Sequence, residues 1–197
     1  MYFGWIWWIV PKLRNYVSMI KIAFTCFLIF LYSLCLFSQV VNVHQRRDSI
    51  IQVNMGKPYP EFIAKDVVTN GIITEKKMKG KVTLLNFWFK ACHPCVEAFS
   101  KLNDLNDRFE HNQFFQIISL TFDPSEDVKK TIEEFSLNYT ICSITRDECY
   151  RLNFESGFPA YIIVDKSGNF SYFFVSFDEA KSKIEELLEL IPLETKK

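Results

Sequence analysis

Charge of one sign in excess is missing from this chain: 23 Lys and Arg face 23 Asp and Glu across 197 residues. Nothing in that balance attracts a polyanion such as nucleic acid, and no nucleic-acid partner is expected. Glycine and proline are scarce, at 6 and 7, which excludes collagen-like, linker-like and low-complexity chains. With 49% hydrophobic residues, disorder throughout is excluded too. No internal repeat is present. The length leaves room for one ordinary domain and an appendage, because domains cluster near about 100–150 residues. Against these shortages cysteine stands out, with six.

Acidic residues are absent from the first 38 positions, which hold Lys12, Arg14 and Lys21, so the remainder carries 20 basic and 23 acidic side chains. From Ile22 to Phe37 the chain is uncharged and only Thr25 and Ser33 interrupt its apolar run. With Lys21 in front and Leu36-Phe37-Ser38 behind, residues 1–38 read as an export signal with its cleavage site. An uncleaved anchor is the rival. The run falls short of the ~20 residues that span hydrocarbon, but Val40 and Val41 extend it, which would make a membrane tether of residues 22–41. A core helix fits worse, since no polar face is marked. Trp5, Trp7 and Trp8 are foreign to a signal's basic end, and Met19-Ile20-Lys21 opens a signal of ordinary length, so Met19 is the expected start. Cys35 does not mark a lipoprotein, because Leu34 precedes it instead of a small residue. Cys26 and Cys35 then read as apolar filler.

Behind the leader, Asn42 to Asn54 is polar, and 39–55 reads as a linker to a domain over 56–192 with a tail at 193–197. Val67-Val68 and Ile72-Ile73 flank Asn70-Gly71, a strong hairpin signal. Val82 to Phe89 is an apolar run of strand length, expected to be central and buried on both faces. Residues 92–111 carry Val96, Phe99, Leu102, Leu105 and Phe109 at helical spacing. Phe114 to Phe122 is a further strand, and Asp123-Pro124-Ser125-Glu126 signals the cap of a helix ending near Ser136. Arg146–Phe154 reads as a short helix, Ala160–Val164 and Phe170–Val175 as strands, and Ala180 to Ile191 as an amphipathic closing helix. This alternation predicts an α/β fold: a central mixed sheet, helices on both faces, and an N-terminal β-hairpin.

Cys92-His93-Pro94-Cys95 joins the end of the central strand to the start of a helix. Two intervening residues on a first helical turn bring both sulfurs to one edge, close enough for a reversible disulfide. Unpaired N–H groups and the positive end of the helix dipole favour the Cys92 thiolate, the nucleophilic form. Cys95 is then the resolving thiol. Pro94 costs nothing in the first turn, and a protonated His93 would stabilise the thiolate and make the disulfide more oxidising. Two other readings stand beside this one. A Cys-x-x-Cys is often half of a zinc site, with Cys142 and Cys149 as the other half, although their six-residue spacing and the helix-opening position of the first pair argue against a knuckle. A purely structural disulfide suits an exported domain.

The stretch Gly80 to Leu102, with Gly-Lys-Val-Thr-Leu-Leu-Asn-Phe-Trp-Phe-Lys-Ala-Cys-His-Pro-Cys, resembles the TlpA/ResA-like branch of exported bacterial thioredoxin-fold thiol–disulfide oxidoreductases. Gly157-Phe158-Pro159-Ala160 is similar to that family's second signature, and the likeness extends over about Gly56 to Ile191. The resemblance implies a thioredoxin-like fold and a cis Pro159 facing the cysteines, with Phe158 pairing its backbone with substrate. Phe158 and Trp88 are the expected substrate-binding residues. It further implies a periplasmic protein, released by a cleavable signal or anchored to the inner membrane. Such a protein exchanges disulfides with protein substrates, more as a reductant, and is reset by a membrane or periplasmic electron donor, with no cofactor beyond the Cys92–Cys95 disulfide. Cytochrome c maturation is one role in that family.

Two departures matter. Many relatives carry Glu three residues after the second cysteine, where this chain has Ala98; its Glu97 is turned about 100° round a helix and reads as a surface residue. Asn86 stands where cytosolic thioredoxins have a buried Asp, so His93, Lys90 or water remain as acid–base partners. Cys142 and Cys149 are open between a second disulfide and two buried free thiols. His44 and His111 read as solvated. A peroxiredoxin needs Pro and Thr or Ser seven and three residues before its reactive cysteine, where Leu85 and Phe89 stand. A non-enzymatic module with structural or metal-carrying cysteines is the remaining alternative.

Overall fold

A strand that must hide both its faces dictates the rest of this molecule. β3 (Val82–Trp88) is buried at all seven positions. It pairs in parallel with β4 (Phe115–Thr121), from Val82↔Phe115 to Trp88↔Thr121, and antiparallel with β6 (Ala160–Val164). The computed structural model describes residues 21, 24–33 and 45–189. It divides into two units, one up to Arg46 and one from Arg47.

In the first unit residues 24–33 are helical and their side chains exposed. Thr25 Oγ1 donates to the Lys21 carbonyl at 2.8 Å and Ser33 Oγ to that of Phe30 at 2.7 Å, so both polar interruptions of the apolar run are absorbed by their own helix. No helix among the described residues is long and apolar enough to cross a membrane. Met19, Cys35, His44, Ile191, the cleavage site at Ser38 and the extension through Val40 and Val41 lie outside the described residues.

The second unit is a seven-stranded mixed sheet. To the three strands above it adds β1 (Ile63–Asp66), β2 (Ile72–Thr74), β5 (Thr140–Ser143) and β7 (Phe170–Phe174), in the order β2-β1-β5-β4-β3-β6-β7. Strand alternation sorts β3 between two cores: Leu84 and Trp88 face one, Leu85 and Phe87 the other. Over the first lie α3 (Phe99–Arg108), α4 (Ser125–Phe135) and α6 (Phe177–Glu189), through Leu102, Leu105, Val128, Ala180 and Ile184. Over the second lie α1 (45–54) and α5 (Arg146–Leu152), through Ile50, Cys149 and Leu152. Each fully buried Leu, Ile or Phe contributes about 1.5–3 kcal/mol of transfer free energy, so this two-sided burial dominates the stability. The expected α/β class, with helices on both faces and a hairpin at the N-terminal side, is the architecture observed.

Three local expectations are corrected. The stretch 39–55 is not wholly a linker, since 45–54 forms α1, whose Ile50 is buried in the second core. Behind it Gly56 N–H donates to the Phe170 carbonyl at 2.9 Å and Phe170 N–H to that of Lys57 at 2.8 Å. Polar composition concealed a helix anchored by Ile50, with Ile51 packed against the same core. In the hairpin, Val67 and Val68 belong to the turn and not to a strand: Asp66 Oδ1 accepts the N–H groups of Val68 at 2.8 Å and Thr69 at 3.0 Å, which ends β1 early. The helix expected over 92–111 is two, α2 (His93–Glu97) and α3, separated at Ala98.

Candidate active site

β3 delivers the chain off the sheet at Trp88, and four residues later Cys92 is the N-cap of α2. Its carbonyl accepts the N–H groups of Cys95 at 3.0 Å and Val96 at 3.1 Å, while its own N–H donates to the Phe89 carbonyl at 3.0 Å. Pro94 occupies the first turn, where its missing N–H leaves nothing unpaired. The turn brings Cys92 and Cys95 to a Cα separation of 5.3 Å, and they are joined by a disulfide. Cys92 keeps 6% of its surface and Cys95 1%, so Cys92 is the more exposed residue of the two. Because α2 has five residues and breaks at Ala98, it supplies no long helix dipole at Cys92.

The Phe158–Pro159 peptide is cis. The loop before it runs through left-handed conformations at Phe154 (φ 56°), Glu155 (φ 53°) and Gly157 (φ 88°), and Asn153 Nδ2 secures it by donating to the Gly157 carbonyl at 3.1 Å. A groove of about 470 Å³ lies beside Pro159, lined among others by Pro94, Glu97, Lys101, Phe177 and Asp178. Lys101 and Asp178 form an ion pair there at 3.0 Å. A larger concavity, about 570 Å³, is lined by Glu61, Glu75 and Glu148 and includes neither a residue of α2 nor Pro159, so size alone does not locate the chemistry.

Phe158 belongs to a cluster of half-buried rings absent from the sequence reading. It meets Phe89 edge-on at 5.2 Å, Phe122 at 5.6 Å and Tyr150 at 5.3 Å, and Arg146 lies over Phe122 at 4.2 Å. These residues come from the ends of β3 and β4, from α5 and from the loop before β6, so no sequence spacing announces them.

Trp88 is a correction. It was expected to bind substrate, but it is fully buried, edge-on to Phe99 at 4.9 Å, and its indole N–H finds no acceptor among the described residues. Strand parity points it beneath the helices. His93 is 85% exposed and its Nδ1 lies 3.3 Å from Glu97 Oε1, so the surface carboxylate has the histidine as its partner. Asn86 is buried on the Trp88 face and donates through Nδ2 to Ser119 Oγ at 2.9 Å; it is a satisfied neutral amide that cannot carry a proton. Lys90 is exposed, and its backbone N–H donates to Asp123 Oδ2 at 2.6 Å.

The second cysteine pair is unbonded, which corrects the disulfide left open between Cys142 and Cys149. Both are fully buried in the second core. Burial, aided by the charge of Asp66, pushes the Cys142 thiol up to about 12. Burial and Asp123 push Cys149 up to about 12, against a smaller opposing effect of Arg146. Held protonated and away from solvent, they pack as small apolar groups. Among the described residues no group of three or more His, Cys, Asp or Glu side chains is placed to hold a metal ion.

A mixed sheet with a dithiol pair at the strand-to-helix junction and a cis proline in the loop before the next strand defines a thioredoxin-fold thiol–disulfide oxidoreductase. Residues 55–173 match the model of the AhpC/TSA family, and the chain belongs to that family. It is 28% identical over 129 residues to the thiol–disulfide oxidoreductase YkuV of Bacillus subtilis, covering 61% of this chain and 85% of that protein. It is 26% identical over 141 residues to the thiol–disulfide oxidoreductase ResA of Bacillus thuringiensis, covering 71% and 80%. Among solved structures, the thioredoxin domain of a thiol–disulfide oxidoreductase from Bacteroides vulgatus superposes with a TM-score of 0.60 at 26% identity, covering 68% of this chain and 96% of that one. A thiol:disulfide interchange protein from Bacteroides sp. gives 0.62 at 25%, covering 71% and 93%. The chain is an enzyme of thiol–disulfide exchange.

Proposed function

We propose that this protein is exported and reduces disulfides in other proteins, with Cys92 as the attacking sulfur and Cys95 as the resolving one. The observation that carries the assignment is the Cys92–Cys95 disulfide at the mouth of β3, with Cys92 the more accessible of the two. In the reduced protein the Cys92 thiolate attacks a substrate disulfide, forms a mixed disulfide and expels one substrate thiolate. Cys95 then attacks the Cys92 sulfur and releases the second, leaving the enzyme oxidised by two electrons. A membrane or periplasmic electron donor restores the dithiol. The cis Pro159 borders the groove into which substrate chain would be laid, and Phe158 precedes it in the loop. Export is supported by the charge-free run Ile22–Phe37 behind Lys21.

Reduction is the favoured direction because the His93 ring is turned to solvent, with its Nδ1 3.3 Å from Glu97 Oε1. A cation held against the thiolate is what makes such a disulfide oxidising, and none is fixed there by this pairing. His93 then tunes the thiolate only weakly. Equilibration with glutathione measures the direction: a potential near about −270 mV supports a reductant, and one near about −120 mV overturns it. Cys95→Ser in cells making the full chain should accumulate substrates disulfide-linked to Cys92. Absence of any such adduct defeats the exchange mechanism. A peroxidase reading is weaker, because Leu85 is a buried aliphatic and Phe89 a half-buried ring where that chemistry needs proline and a hydroxyl.

A further inference from the structure

We propose that Asp123 is a positioning residue for the redox disulfide, acting through the Phe89–Lys90 peptide. The inference rests on Cys92 being the attacking sulfur. That single peptide is gripped at both ends: its N–H, on Lys90, donates to Asp123 Oδ2 at 2.6 Å, and its C=O, on Phe89, accepts the Cys92 N–H at 3.0 Å. A carboxylate drawing on one end of an amide polarises the other, so the two bonds reinforce each other.

Asp123 is itself held. Its carboxylate accepts the Thr121 hydroxyl at 3.3 Å, its N–H donates to Thr121 Oγ1 at 3.2 Å, and its carbonyl accepts the Ser143 hydroxyl at 3.1 Å. These contacts fix it to the ends of β4 and β5 and pass their rigidity to the loop that carries Cys92. Its place in the sequence is that of a helix cap, yet the N-cap of α4 is Pro124 and no side chain caps that helix. The carboxylate is directed across to the neighbouring loop instead.

The consequence lies in closing the disulfide. With oxidised glutathione, the Cys92 thiolate attacks one sulfur and releases one glutathione thiolate. Cys95 then attacks Cys92, breaks the mixed disulfide and releases the second; two electrons pass from protein to glutathione. The closing step depends on the effective concentration of Cys95 at Cys92, which a held loop raises.

Asp123→Ala and Asp123→Asn in the full chain test this. Each is equilibrated with reduced and oxidised glutathione, and resolution of the Cys92 adduct is timed after mixing the dithiol form with oxidised glutathione. Asp123→Ala should lower both the equilibrium constant for disulfide formation and the closure rate about tenfold. Asp123→Asn, whose amide oxygen accepts the same N–H without the charge, should lose no more than about threefold. In both variants Cys142 and Cys149 should resist iodoacetamide, reporting an intact core. Unaltered closure in Asp123→Ala overturns the inference, as does an equal loss in Asp123→Asn or a loss accompanied by labelling of the buried thiols. If the unsubstituted protein forms no glutathione adduct at Cys92, the assignment of the attacking sulfur fails and this inference with it; normal adduct formation with closure indifferent to Asp123 defeats this inference alone.

Discussion

Two cysteine pairs in one domain have opposite fates. Cys92 and Cys95 follow the last residue of a central strand, open a helix and are bonded to each other; Cys142 and Cys149 lie on β5 and α5, fully buried and free. Thiol chemistry follows the thiolate, and burial withholds it from the second pair by pushing both groups up to about 12. The contrast shows that reactivity here is a property of place in the fold.

The largest effect that tests the contrast is on activity. Cys92→Ser should reduce disulfide exchange to background, whereas the double variant Cys142→Ala, Cys149→Ala should keep it and lose only about 1 kcal/mol of stability per site. Reduction of an insulin-like protein disulfide, with denaturant unfolding alongside, measures both; exchange that depends on the buried pair would break the comparison.

A smaller effect lies in the pH dependence of stability. Each buried thiol ionises at about 12 in the folded protein against 9.0 for a free group. Above pH 9 the unfolded chain therefore loses protons that the folded chain retains, so stability is fully present below pH 9 and falls as pH rises toward 12. The slope is up to about 1.4 kcal/mol per pH unit for each thiol. Buried Tyr59, Tyr139 and Tyr161 are also raised and add a decline of the same sign above pH 10. The double alanine variant should flatten the decline between pH 9 and 10 in unfolding titrations, and an unchanged slope would contradict the burial argument.

The smallest effect concerns His93. As half of an exposed pair with Glu97, its replacement by Ala should change stability by less than about 0.5 kcal/mol and exchange rates only a few-fold. A large shift in redox potential would place the imidazole nearer the sulfurs in its chemistry than this pairing does.

How far the site was legible depended on whether its parts were neighbours in sequence. Cys92, Pro94 and Cys95 sit within one turn, and β3 announces itself as an unbroken apolar run, so strand, junction and cysteine pair could all be read directly. Trp88, an expected substrate contact, is instead turned inward against Phe99 by strand parity. The cluster of Phe89, Phe122, Tyr150 and Phe158 was invisible because four separate segments supply it. Asp123 read as a helix cap, and nothing local showed that its acceptor would serve Lys90, 33 positions earlier.

The sequence by itself determined the alternation of strands and helices, the mixed sheet with its central strand, and the dithiol at a strand-to-helix junction, because periodicity and helix-start chemistry act over a few residues. Only the tertiary structure decided that Cys142 and Cys149 stay free, that Asp123 grips the loop before Cys92, and that α1 closes the second core through Ile50. Those outcomes turn on burial and on contacts between distant segments, which exist only once the sheet has brought the segments together.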